Sequence, residues 1–166
     1  MSEANEKRPF LPPRWFVRAA WVIHRAIYRL TGGRMGLWEA KPGKWGTMRL
    51  TTIGRRSGKE REAILGYYED GPNLVTLAMN GWAEPEPAWW LNLQGRPDVT
   101  IVLADGEREV HARAATGPER DRLWARWGEF GDNYEAYARL RPAGTAVVVL
   151  EPRSSAVEAE PSEPSV

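Results

Sequence analysis

The sequence contains no cysteine and only two histidines, His24 and His111. The lack of cysteine excludes disulfides, thiolate nucleophiles, iron–sulfur clusters and cysteine-based zinc sites. Two histidines leave little for a histidine metal site or a Ser–His triad, so we expect no metal. A chain without cysteine also suits a reducing cytoplasm, which is the location we expect.

Long apolar runs and nucleotide-binding fingerprints are missing as well. No uncharged apolar stretch approaches the roughly 18 residues that a spanning helix needs, and we expect no secretory signal. Neither a Rossmann nor a P-loop pattern is present, so phosphate binding by those routes is not expected. The formal net charge is only +1, which argues against a nucleic-acid partner.

Tryptophan, in contrast, is abundant, with nine residues in a chain of 166. Because tryptophan combines a large apolar area with one polar group, we expect several to line a groove for a flat ligand or to lie at an interface. The length predicts one domain with a sizeable core. We place this domain at 14–152, after a flexible segment 1–13 and before a disordered tail 153–166 rich in Ser, Pro, Glu and Ala.

Residues 14–31 are predicted to form an amphipathic helix that ends at Gly32-Gly33. At the α-helical period, its arginines fall within about 60° of one another and apolar residues occupy the opposite side. These arginines are Arg14, Arg18, Arg25 and Arg29. The helix either packs its apolar face on its own domain or lies on an anionic membrane surface, and the sequence leaves both open.

From residue 47 onward the pattern changes to short strands separated by turns. Strands are predicted at 48–53, 61–68, 74–79, 99–103, 107–115 and 145–150, and helices at 87–93, 117–127 and 133–140. Turn residues occupy 54–59, 69–73 and 104–106. Antiparallel hairpins with an inserted helix predict a mainly β protein with flanking helices, built on a small barrel and not on a parallel α/β sheet.

The turn between the first two strands concentrates positive charge. It contains Arg55, Arg56, Ser57, Gly58 and Lys59, and Arg61 follows directly. Glycine permits a tight turn, successive N–H groups can form an anion nest, and arginine can bind phosphate with two hydrogen bonds. The turn is therefore either a phosphate site or a solvated cationic hairpin tip, and phosphate of a nucleic acid is a third, weaker possibility.

Two further groups of residues have the composition of a ligand site. Met79, Asn80 and Gly81 allow a backbone N–H to approach a ring carbonyl, and Ala88 with Trp89 opens a helix beside them. The alternative for Trp89 and its neighbour Trp90 is simple filling of the core. Tyr134 and Tyr137 share a helix face, and a phenol can donate a proton, although packing alone would also explain them.

The string from Leu50 to Arg61, LTTIGRRSGKER, resembles the opening signature of the deazaflavin-dependent nitroreductase family, also called the quinone reductases that use reduced coenzyme F420. The order of the later motifs also matches. They are Tyr67 to Gly71, Asn80-Gly81, Pro87-Ala88-Trp89, Asn92-Leu93, Arg96-Pro97, Tyr134, Tyr137 and residues 147–152. The resemblance spans roughly 14–152 and implies an actinobacterial origin.

This resemblance implies a split β-barrel, related to flavin reductases and pyridoxamine oxidases, that binds coenzyme F420 in a groove. The implied phosphate and tail ligands are Arg55, Arg56, Ser57, Gly58, Lys59 and Arg61. The implied ring neighbours are Met79, Asn80, Gly81, Ala88 and Trp89. Tyr137 and Tyr134 match tyrosines implicated in acceptor binding or protonation. The implied reaction is hydride transfer to a quinone, a nitro-compound or an activated alkene.

The chain departs from the family pattern around the acceptor. The departures are Ile64 in place of a usual proline, Gly66 in place of an aromatic residue, Met79 in place of a small serine, Trp82 in place of glycine and Ala143 in place of arginine. Two alternatives therefore stay open: a carrier of lipid-like molecules on the same barrel, and a protein that binds flavin mononucleotide. The acceptor could be a membrane quinone, and the chain could be a monomer or a homodimer.

Overall fold

The computed structural model describes residues 36–79, 85–131, 139 and 144–153. Several predicted features lie outside these residues. They are the N-terminal segment 1–13, the amphipathic helix 14–31, residues 80–84, most of the helix 133–140, and the tail from residue 154. Within the described part of the chain, no helix has the length and apolar character needed to cross a bilayer.

The described chain forms a closed barrel of six strands with two helices. The elements are β1 (Gly46–Ile53), β2 (Glu60–Asp70), β3 (Asn73–Leu77), α1 (Ala88–Gly95), β4 (Asp98–Leu103), β5 (Gly106–Ala114), α2 (Gly117–Gly128) and β6 (Val147–Pro152). The order around the barrel is β1-β2-β3-β6-β5-β4, and β4 pairs with β1 to close it. All these pairs are antiparallel, which confirms the predicted small barrel.

Two of the predicted turns are longer than the observed ones. β2 continues to Asp70, which pairs with Asn73, so the turn is only Gly71-Pro72 and not 69–73. In the same way Leu103 pairs with Gly106, which leaves Ala104-Asp105 as the turn. The prediction assigned polar residues at the strand ends to the turns. A ladder of backbone hydrogen bonds can continue through exposed polar positions, so these residues belong to the strands. Gly71 makes the tight turn possible with a φ of +61°.

The predicted strand 74–79 is too long at its end. β3 stops at Leu77, and the Met79 N–H donates to the Leu77 carbonyl at 2.8 Å, which turns the chain away from the ladder. The last predicted strand is shifted by two residues, since β6 covers Val147–Pro152 instead of 145–150. The segment after β3 therefore leaves the barrel just before the residues expected near a ligand ring.

The barrel interior is filled by alternate residues of the strands and by one side of α1. In β1, Met48 and Leu50 are fully buried, whereas Arg49 and Thr51, which alternate with them, are half-buried on the other face. Helix α1 contributes three side chains to the same interior cluster, namely Trp89, Trp90 and Leu93. The helix thereby becomes part of the core, and its position relative to β1 is determined by packing.

Helix α2 covers the outer face of the barrel at β3 and β6. Leu123 and Trp127 of α2 belong to a second buried cluster with Val75, Val147 and Val149 of those strands. Tyr68 of β2 also contacts this helix, since its buried hydroxyl donates a hydrogen bond to the Leu123 carbonyl at 2.9 Å. Its burial raises the pKa of the Tyr68 phenol well above the ordinary value.

An ion-pair network joins α2 to the hairpin of β2 and β3. Arg122 makes two hydrogen bonds to the Asp70 carboxylate, at 2.8 and 2.9 Å, and Arg126 makes a third at 3.1 Å. These hydrogen bonds, chiefly those from Arg122, hold the pKa of the Asp70 carboxyl below its ordinary value. The ion pair of Asp70 therefore contributes fully to the free energy of unfolding at a pH above the pKa of Asp70 in the unfolded chain. This contribution is lost as the pH falls through the lower pKa of Asp70 in the folded protein.

We expect Asp70→Asn to lower the melting temperature by a few degrees at pH 7 and by much less at pH 3. Because pH 3 lies below the pKa of about 3.9 of an unfolded aspartate, part of the ion pair's contribution to stability is already lost there, so the variant loses less. Thermal unfolding of both proteins at the two pH values checks this expectation. A difference in melting temperature that does not shrink at pH 3 would contradict the assignment to the ion pair. Asp105→Asn, which alters the exposed pair with Arg108, is the matched control.

Candidate functional site

Residues 54–59, the cationic turn, connect β1 to β2 and are closed by backbone hydrogen bonds. The Gly54 N–H donates to the Lys59 carbonyl at 2.8 Å, and the Gly54 carbonyl accepts from the N–H groups of Ser57 and Gly58 at 3.2 and 2.8 Å. Gly58 adopts a φ of +64°, which favours glycine. A Cβ on Gly54 would lie 2.7 Å from Ser57 Oγ and 3.3 Å from the Lys59 carbonyl oxygen, so a side chain here would displace the Ser57 hydroxyl. The turn is therefore defined by its own glycines.

The basic side chains of this turn and of the start of β2 are exposed. Those of Arg55, Arg56, Lys59 and Arg61 are all at the surface, and so is Ser57. Among the described residues, none of the four basic groups forms an ion pair with a carboxylate. Unpaired guanidinium groups that share one turn favour a bound anion, because they can form charge-assisted hydrogen bonds without first breaking others.

The backbone of the turn is less available than the sequence suggested. Besides the two N–H groups bonded to the Gly54 carbonyl, the Arg55 N–H donates to Asn92 Oδ1 at 3.1 Å. The Lys59 N–H donates to Ser57 Oγ at 3.4 Å. These four N–H groups are bonded to other protein atoms, so they do not form the anion nest that the sequence offered as one possibility. An anion bound here would be held mainly by side chains.

Helix α1 reaches this turn through Asn92, a residue whose role sequence reasoning missed. Asn92 is only 4% exposed; its Oδ1 accepts from Arg55, and its Nδ2 donates to Thr52 Oγ1 at 3.0 Å. The sequence named it only as part of the Asn92-Leu93 motif and assigned it no role of its own. The structure thus brings the cationic turn against the helix that carries Ala88 and Trp89.

The two tryptophans of α1 lie mainly in the core. Trp89 and Trp90 are 8% and 7% exposed, belong to the interior cluster and have ring centroids 6.4 Å apart. The alternative that they fill the core therefore holds for both residues. Ala88, at the start of the helix, is exposed, and Met79 is half-buried on the outer cluster. Asn80, Gly81, Tyr134 and Tyr137 lie outside the described residues.

The departure at Gly66 has a local explanation. Gly66 lies on β2, and a Cβ built there would be 3.2 Å from Trp45 Cε3 and 3.7 Å from Trp127 Cη2. The missing side chain makes room for the Trp45 indole, which packs on the outer cluster. An aromatic residue at position 66 would have to displace Trp45, so the residues at positions 45 and 66 are linked sterically.

The sequence model of the F420H(2)-dependent quinone reductase family matches residues 21–152. The chain belongs to this family. The reductase is 33% identical over 147 residues to the F420H(2)-dependent quinone reductase Rv1261c of Mycobacterium tuberculosis, an alignment that covers 84% of this chain and 97% of the relative. It is also 32% identical over 107 residues to a second M. tuberculosis relative, Rv3178, of which 90% is covered.

Solved structures support the same fold. The F420-H2-dependent reductase FDR-A superposes with a TM-score of 0.57 and 26% identity, covering 63% of the reductase and 93% of that chain. A structure described as a domain-swapped dimer superposes with a TM-score of 0.58 and 24% identity over 81% of the reductase and 99% of that chain. The latter likeness concerns the fold alone.

Family membership makes the reductase an oxidoreductase that uses coenzyme F420. The residues present fit such a ligand. The coenzyme carries a phosphate and a polyglutamate tail, which are anionic, and the turn from Gly54 to Arg61 presents four exposed basic groups without carboxylate partners among the described residues. Deazaflavin supplies the hydride chemistry when it is bound, and the protein supplies position and charge.

Proposed function

We propose that the reductase transfers a hydride from reduced coenzyme F420 to a quinone. The observation that supports this best is the exposed cationic turn held against α1 by Asn92, whose basic groups have no carboxylate partner among the described residues. A carrier of lipid-like molecules has no need for three arginines, a lysine and a serine in this turn and the strand start that follows it. Nitro-compounds and activated alkenes are further acceptors that the same chemistry would reduce.

In this proposal the cationic turn anchors the tail end of the coenzyme. Arg55 and Arg56 bind the phosphate with paired hydrogen bonds, and Ser57 adds a hydroxyl donor. Gly58 keeps the turn tight enough for close approach, while Lys59 and Arg61 neutralise carboxylates of the polyglutamate tail. Since all these side chains are exposed, their free energy of binding depends on salt concentration.

The ring end of the coenzyme is proposed to lie where the chain leaves β3. Met79, Asn80 and Gly81 are placed along one edge of the ring, where a backbone N–H can bind a ring carbonyl. Ala88 and the exposed fraction of Trp89 are placed on the other side. The half-buried Met79 side chain rests on the outer cluster, which supports the start of this segment.

Proton delivery is assigned to a phenol. Hydride addition to a quinone leaves an oxyanion that needs a proton, and the chain offers no cysteine and only two histidines. Tyr137 is the proposed donor, with Tyr134 as its substitute, on the strength of their match to the family pattern. The remaining task of the protein is to orient both reactants and to exclude water.

A binding titration tests the proposal most directly. Oxidised coenzyme F420 is added to the full chain and its fluorescence is followed, with flavin mononucleotide titrated in parallel. The proposal expects saturable binding of F420 with much weaker binding of flavin mononucleotide, followed by turnover of a short-chain naphthoquinone with F420H2. Preference for flavin mononucleotide, or no binding of either, would support the alternatives that the sequence left open.

We also propose peripheral contact with anionic membranes through residues 14–31, which would bring the site near lipid-soluble quinones. Full-length protein is expected to sediment with anionic vesicles at low salt and to ignore zwitterionic ones. Each basic residue contributes about 1 kcal/mol near such a surface, so replacing Arg14, Arg18, Arg25 and Arg29 with glutamine should reduce partitioning at least about tenfold. Wild-type protein that ignores anionic vesicles would rule out this contact.

A further inference from the structure

A buried carboxamide lies between the cationic turn and the barrel. Asn92 is 4% exposed, and its partner Thr52, near the end of β1, is 2% exposed. Burying an amide is unfavourable unless its polar atoms are hydrogen-bonded, so an apolar residue would be the simpler choice for this position in α1. Here both ends of the carboxamide are used, by Arg55 on one side and Thr52 on the other.

The hydrogen bond between the Arg55 N–H and Asn92 joins the cationic turn to α1. The turn is closed on itself by the three bonds between Gly54 and its neighbours, so it behaves as one compact loop. Among the described residues, the bond from the Arg55 N–H to Asn92 Oδ1 is the hydrogen bond that joins this loop to α1. Because Arg55 is the second residue after β1, this bond fixes the backbone of the turn close to the end of the strand.

We propose that Asn92 is a positioning residue that holds the cationic turn in its coenzyme-binding orientation, with Thr52 as its anchor. This inference rests on the proposed function. Asn92 acts through Arg55 and uses its own polar atoms inside the protein. Since the same helix carries Ala88 and Trp89, Asn92 also couples the tail end of the coenzyme site to its ring end.

The physical reason is preorganisation. A turn that is already oriented loses little conformational freedom when the anion binds, whereas a released turn must be ordered by the ligand itself. Loss of the Asn92 bond should therefore raise the Kd and KM for coenzyme F420. The kcat at saturating coenzyme should stay near the wild-type value, because Asn92 contacts no reacting atom.

The experiment uses the full chain and a set of matched variants. Asn92→Leu removes both polar atoms, Thr52→Val removes the anchor oxygen, and Thr52→Ser keeps it. Gln94→Ala, an exposed substitution two residues along α1, is the control. The probe is oxidised coenzyme F420, and its Kd is measured by fluorescence at several salt concentrations alongside the KM and kcat with F420H2.

We expect Asn92→Leu to raise the Kd at least about tenfold and Thr52→Val about threefold, with Thr52→Ser and Gln94→Ala near wild type. The dependence of the Kd on salt should also become shallower in Asn92→Leu, since misdirected arginines make fewer ionic contacts. Partial unfolding would reduce the amount of active protein but would not change this salt dependence. The amide of Arg55 should exchange faster with solvent, whereas that of buried Leu50 should not.

An unchanged Kd in folded Asn92→Leu overturns the inference, and so does a lower kcat with an unchanged KM. If Asn92→Leu does not fold, the affinities of Thr52→Val and Thr52→Ser for coenzyme F420 are compared instead. Equal affinities of these two variants would contradict the proposed role of Thr52 as the anchor of Asn92. Failure of the proposed function looks different, because wild-type protein would then not bind coenzyme F420 at all. In that case the inference fails with it, whatever the Asn92 variant does.

Discussion

Replacing Arg55 and Arg56 together with alanine is expected to weaken coenzyme F420 binding at least about tenfold. Each guanidinium can contribute hydrogen bonds to charged groups worth about 1.5–3 kcal/mol, and about 1.4 kcal/mol corresponds to a factor of ten. Both side chains are exposed on a turn whose backbone is hydrogen-bonded internally. The substitution should therefore remove charge without unfolding the loop. A fluorescence titration with oxidised coenzyme measures the change in Kd.

The chain offers a control with the same change in charge. Lys41 and Lys44 are exposed and pair with each other in a small backbone bridge before the start of β1. They lie at the opposite end of that eight-residue strand from the cationic turn, which corresponds to about 26 Å. Replacing both lysines with alanine should leave the Kd almost unchanged. Equal losses in the two double variants would indicate a general electrostatic effect and not a coenzyme anchor.

Replacing Tyr137 with phenylalanine is expected to lower the kcat for a quinone acceptor about a hundredfold while the Kd for coenzyme F420 stays near wild type. General acid catalysis typically contributes about 10²–10⁴-fold to a rate. With no cysteine and two histidines, the chain has few other groups that could donate the proton. The separation of kcat from coenzyme affinity is the important readout, because it distinguishes a proton donor from a coenzyme ligand.

Tyr134→Phe is the natural comparison, since the two phenols are three residues apart and share a predicted helix face. If Tyr137 is the donor, Tyr134→Phe should cost much less in kcat. The reverse order would transfer the role to Tyr134. If both single variants and the double variant keep the wild-type rate with a quinone, the proton comes from water and the acid role is wrong.

The barrel could be predicted from the sequence because the signals for its strands and turns come from residues that are close together in the chain. Alternating apolar residues, as in Met48 and Leu50, identify a strand with one buried face, and Asp-Gly and Gly-Pro sequences mark the turns. Element ends were predicted less well, as at 69–73 and 74–79. Strand ends depend on whether a neighbouring strand continues to offer hydrogen bonds, and that neighbour is distant in sequence.

The candidate site was predictable to the same extent. The basic residues from Arg55 to Arg61 lie in one turn and at the start of the strand that follows it, so their composition and spacing already gave an anion site as one interpretation. One feature of that site escaped the sequence. Four N–H groups of the turn, which could have formed an anion nest, are bonded to other protein atoms. For Trp89 the sequence left a ligand wall and core filling open, and the structure buries its side chain in the core. A pattern of residue types shows neither backbone hydrogen bonding nor the direction of an indole.

The sequence by itself determined an antiparallel barrel, a cationic turn between its first two strands and membership of an F420-dependent family, because strand alternation, turn chemistry and motif order are properties of neighbouring residues. Only the tertiary structure decided that Asn92 joins that turn to α1. Arg55 and Asn92 are 37 residues apart, and they meet because α1 buries its tryptophans in the barrel beside the end of β1. A contact of that kind follows from packing between distant segments, which no local pattern records.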